Sequence, residues 1–90
     1  MGNYQTESEE LLVEEVVENK NLVVFNDDVN TFDHVIDALI KVCSHDMVQA
    51  EQCTWIIHHN GKCAVKKGDF EKLESMCTAL LDRGINAEIH

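Results

Sequence analysis

LVVFNDDVNTFDHVIDALIKVC, residues 22–43, carries three structural signals in one unbroken run. Leu22-Val23-Val24-Phe25 is β-branched and aromatic, and reads as a strand buried on both faces. Asn26-Asp27-Asp28 stops it with a turn. Asn30, with Asp33 three residues on, then predicts an N-cap and an approximate capping box. Behind it Phe32, Val35, Ile36, Leu39 and Cys43 recur at the spacing of one helical face.

The same logic extends outward. Asp46, with Gln49 three residues later, predicts a second cap. Met47, Ala50, Cys53, Thr54, Ile57 and His58 mark the helix behind it, and Gly61 ends that helix. Residues 62–66 form a short strand candidate. Gly68-Asp69 opens a third helix, in which Phe70, Leu73, Met76, Cys77, Leu80 and Leu81 keep the 3.6 period until Gly84. Ile85, Ala87 and Ile89 alternate with Asn86, Glu88 and His90, the pattern of a half-buried strand. The order is therefore β-α-α-β-α-β. These elements are too few and too short for a doubly wound sheet. An α+β fold results, a three-stranded sheet with three helices packed on one side.

Ninety residues suffice for one domain, with a small core. Seven Lys+Arg against 17 Asp+Glu give a formal net charge of -10. That field repels phosphate backbones and disfavours nucleic acid, while it attracts cationic groups such as a peptide α-ammonium. Six of the acids are Glu residues within positions 1–19, which contain no Lys or Arg. Residues 20–90 keep 11 acids and 7 bases, a net of -4. Residues 1–19 thus read as a flexible acidic extension and 20–90 as the folded core. No apolar run has the length of a membrane span. MGNYQTESEE lacks the basic and apolar regions of a secretory signal, so a cytoplasmic location is expected.

Several chemistries compete for the polar residues. Asn26-Asp27-Asp28 is either a turn that satisfies its own backbone N–H groups or a polar claw for a cation. His58 is either a partner of the helix C-terminus or a member of that claw. Cys43, His45, Cys53, His58, His59 and Cys63 are potential zinc ligands, yet they lack the close pairs of a structural site; two of the cysteines fall on core-facing helix positions. Thiols packed in a reduced core are the expectation, with no metal and no cofactor. No phosphate loop, GxSxG or HExxH motif points to an enzyme.

Three blocks of sequence carry a resemblance. Leu22-Val23-Val24-Phe25-Asn26-Asp27-Asp28, then Val35-Ile36-Asp37, then His58-His59-Asn60-Gly61-Lys62 resemble the ClpS family over about residues 21–90. Members are adaptors that bring N-degron substrates to a AAA+ Clp unfoldase–protease. The resemblance implies an antiparallel three-stranded sheet with three helices. It implies that Asn26, Asp27 and His58 bind the substrate's α-amino group, with Asp28 part of the motif. It further implies a hydrophobic pocket at Val35 and Ile57, with Asn30, Phe32 and Thr54 around its rim and floor. His58 must then be neutral to accept from an ammonium, so binding weakens as falling pH protonates it. Phe32 and Thr54 stand where typical members have methionines. One position becomes stiffer and the other smaller and more polar. Glu71 falls on an acidic unfoldase contact, and Met76 on a basic one.

The implied function is recognition of an N-terminal bulky hydrophobic residue and delivery to the N-terminal domain of the unfoldase. In the family the N-terminal extension is fed to the unfoldase pore. An alternative is a regulatory module that docks on the unfoldase and inhibits other substrates without recognising N-degrons.

Overall fold

The computed structural model describes residues 19–90, so the extension expected over 1–19 lies outside the described residues but for Asn19. The elements are β1 (Lys20–Phe25), α1 (Phe32–Cys43), α2 (Met47–Asn60), β2 (Lys62–Gly68), α3 (Phe70–Asp82) and β3 (Ala87–Ile89). β1 is the central strand, antiparallel to β2 on one side and to β3 on the other. The α+β expectation and its element order both hold.

β1 is central because it is the most apolar strand. Leu22 and Val24 are fully buried, and Val23 on the opposite face is nearly so. Leu22 and Val24 join Val35, Leu39, Ile57, Leu73, Leu80 and Ile85 in the core, whereas Val23 lies outside that cluster. The β1–β2 register slips between Leu22 and Val23, which pair with Lys66 and Ala64. Val65 is the extra residue of this bulge, and its side chain is buried. The bulge also frees its carbonyl, which sits 2.7 Å from Nε2 of the buried His45. That imidazole therefore carries its proton on Nε2 and donates it to Val65.

The expected cap of α2 is in place, and Asp69, expected to open α3, caps that helix in the same way. Asp46 Oδ1 accepts from the Gln49 N–H at 2.7 Å, and Asp69 Oδ1 from that of Lys72 at 2.8 Å. The cap of α1 differs from the expectation. Thr31, not Asn30, is the N-cap, with its Oγ1 accepting from the His34 N–H at 3.1 Å. Asn30 and Thr31 are both competent caps by residue type. Asn30 is diverted to the nearby Asp27 and to the distant Gly84. The expected apolar faces also need correction at their ends. Met47, Phe70 and Leu81 are more than half exposed, because each lies at the end of its helix.

Candidate functional site

The two polar motifs meet through their backbones. The Asn26 N–H donates to the Gly61 carbonyl at 2.8 Å. Gly61 ends α2 at a φ of 91°, left-handed geometry that suits glycine, and its own N–H donates to Ile57 O at 2.9 Å. The turn after β1 and the turn after α2 are thereby fixed side by side.

Asn26 and His58 consequently share one depression, together with Asn30, Thr31, Phe32, Val35, Thr54 and Ile57. Every pocket residue implied by the resemblance lies in it. Asp27 lines an adjoining depression with Phe25, Asn26, Asn30, Val35, Ile57 and Ile85. Asn26, Asn30, Val35 and Ile57 are common to both.

Val35, Ile57 and Thr54 are buried and form the floor. The Thr54 hydroxyl donates to Ala50 O at 2.7 Å within its own helix, so its polarity is already satisfied. Phe32 is 38% exposed, and its ring forms a T-shaped pair with that of His58, with centroids 5.5 Å apart. Each depression holds about 20 Å³, room for one water and far too little for a leucine side chain. Entry of a bulky residue requires Phe32 or its neighbours to move.

Asp27 also does what a turn residue does. Its Oδ1 accepts from the N–H groups of Val29 at 2.9 Å and Asn30 at 2.8 Å, and its Oδ2 from the Asn30 amide at 2.7 Å. The Asn30 backbone bond, aided by those from Val29 and the Asn30 side chain, holds the carboxyl below its usual range against a smaller opposing effect of burial. The other Asn30 Nδ2 proton goes to Gly84 O at 2.9 Å. Gly84, at φ 79°, is the turn leading out of α3. The Asn-Asp-Asp turn is thus braced on both sides, by Gly61 and by Gly84.

Glu71 is exposed on the first turn of α3, a different element from those around the depression. Met76 is partly buried against the core.

A second feature escaped the sequence reading. Phe32 and Ile36 on α1, with Val48, Glu51, Gln52, Trp55 and Ile56 on α2, line an open groove of about 580 Å³. Trp55 is 58% exposed and Val48 64%. The signal was available, since the sequence of α2 puts apolar residues all round the helix. One face meets the core through Ala50, Thr54 and Ile57, and the other forms this groove.

Cys43, Cys63 and Cys77 are held protonated at neutral pH. Burial pushes Cys43 up to about 11, with Lys66 pulling the other way. It also raises Cys63 to about 11, helped by the nearby Cys53 thiol, and it raises Cys77, helped by Glu88. Protonated thiols are poor nucleophiles and poor metal ligands. Among the described residues, no group of three or more His, Cys, Asp or Glu is placed to hold a metal, and no helix is long and apolar enough to cross a membrane.

A small antiparallel sheet with three helices, and a depression where the β1 and α2 turns meet, defines the class of protein. The Agrobacterium tumefaciens protein ClpS2, solved bound to L-phenylalaninamide, has this fold, with a TM-score of 0.75 at 16% identity. The likeness covers 82% of this chain and 99% of that one. Residues 15–88 match the family described as ATP-dependent Clp protease adaptor protein ClpS, and the chain belongs to that family. It is a family of adaptors, not of catalysts. No curated protein sequence matches the chain.

Proposed function

We propose that this protein captures substrates by a free N-terminal bulky hydrophobic residue and delivers them to the N-terminal domain of a AAA+ Clp unfoldase. The observation that carries the reading is the position of Asn26 and His58, distant in sequence, on one depression floored by Val35 and Ile57. The Asn26 amide oxygen and a neutral His58 accept from the substrate ammonium. Asp27, the residue after Asn26, supplies the negative charge from the adjoining depression. Phe32 swings outward, and the first side chain takes its place above Ile57.

The magnitudes suit such a role. Burying a Leu or Phe side chain contributes about 1.5–3 kcal/mol. Each hydrogen bond from a charged ammonium adds about 1.5–3 kcal/mol, and ordering the peptide removes several. Affinities near micromolar follow. An internal residue offers no ammonium and leaves the polar groups unpaired, which is the source of selectivity.

A fluorescence-anisotropy panel of peptides differing only at position 1 tests this reading. Phe- and Leu-initial peptides bind, Gly- and Ser-initial ones do not, and Asn26→Ala and His58→Ala each weaken binding by about tenfold. Equal binding by wild type and both variants removes those residues from the site.

The small volume of the depression gives a second reading its footing. A module whose pocket stays closed under Phe32 would dock on the unfoldase through Glu71 and inhibit other substrates. Unfoldase binding without any peptide binding would decide for it.

A further inference from the structure

The groove between α1 and α2 begins where the proposed N-terminus site ends. Phe32 belongs to both, and its ring is steeply inclined to those of His58 and Trp55, the latter with its centroid 6.5 Å away. Beyond Trp55 the walls are Ile36, Ile56 and Val48, and Glu51 is the charged residue of the lining. An apolar groove of about 580 Å³ is large enough for a Leu or Phe side chain without rearrangement, unlike the depression beside it.

Three occupants compete for it. The seven residues that line the groove fall well short of the 20–30 that each side of a stable dimer supplies. A second copy would also bring a chain of net charge -10 against its like. The segment at residues 1–18 carries six Glu and no base, which Glu51 repels. The substrate chain fits both the position and the size. Held by its ammonium near His58, an extended peptide advances about 3.3–3.6 Å per residue. The two ring spacings of 5.5 and 6.5 Å then bring the groove within reach of its next few residues.

We propose that the α1/α2 groove is a second substrate subsite, which seats an apolar side chain at one of positions 2 to 4 of the bound N-terminal segment. This rests on the reading of the first site given above. Val48, Trp55 and Ile56 set the preference there, so two substrates with the same first residue bind differently.

The test uses the full chain and peptides beginning with Phe, with Leu placed at position 2, 3 or 4 of an otherwise Gly-Ser sequence, each with a free and an acetylated amine. One Leu position tightens free-amine binding by about five- to tenfold over the all-Gly-Ser peptide. Val48→Ser and Trp55→Ala remove that gain, and Val48→Ser leaves the Gly-Ser peptide unaffected. Amine-dependent binding with no gain at any position overturns the subsite and leaves the first site standing. Binding that ignores acetylation overturns the first site, and the subsite with it. A gain seen only after deletion of Met1–Glu18, or only at concentrations where the chain is monomeric, assigns the groove to the extension or to a second copy and also overturns the proposal.

Discussion

The side-chain amide of Asn30 spends both N–H groups at once, one on Asp27 Oδ2 and one on Gly84 O. Asp27 in turn accepts from two backbone N–H groups of the same turn. Asn30→Ala removes both side-chain bonds and lowers stability by about 1–2 kcal/mol, read from urea melts. An unchanged midpoint would mean that the brace carries no energy. The carboxylate adds a pH dependence of known sign. Its bonds hold the folded pKa below the ordinary 3.8, so its contribution is complete above that value and is lost as the pH falls through the lowered one. As the pH falls below 3.8, the melting temperature of the wild type should fall more than that of Asp27→Asn. Parallel curves would contradict the role given to this carboxyl. Asn30 also marks a limit of the sequence. Either Asn30 or Thr31 could cap α1 by type, and the choice depends on a Gly84 carbonyl 54 residues away.

At the scale of elements, the turn at Gly61 links fold and site. A Cβ there meets nothing within 4 Å, so the cost of Gly61→Ala is conformational only. Holding alanine at a φ of 91° costs about 1–2 kcal/mol. The variant is expected to melt lower and to bind peptide more weakly, because the Gly61 carbonyl holds Asn26 in place. Lower stability with unchanged affinity would separate the turn from the site. The elements themselves were legible because their patterns are local. β1 is continuously apolar from Leu22 to Phe25, α1 and α3 carry one stripe each, and the carboxylate caps stand before their helices. The groove was not legible in this way. Its α2 face consists of Val48, Trp55 and Ile56, which stand off the core-facing stripe, and it becomes a groove only when α1 brings Phe32 and Ile36 beside it. The depression was legible through the family resemblance, but its small volume was not, because volume depends on how Phe32 packs.

Across the molecule as a whole the acids are unevenly spread, with six of the 17 within residues 1–18. The acidic extension over residues 1–19 and the folded core are proposed to have separate tasks, handover and capture. Deleting Met1–Glu18 should leave peptide affinity within about twofold and abolish degradation of an N-degron reporter by the unfoldase–protease. Undiminished degradation would deny the extension its task. The proposed capture rests on a charged chain end meeting Asn26, Asp27 and His58 above an apolar floor. Calorimetric titration of one Phe-initial peptide, with its amine free and then acetylated, tests this most directly. The account predicts binding near micromolar for the free amine and a loss of at least about tenfold on acetylation. Equal affinities for the two forms would contradict it.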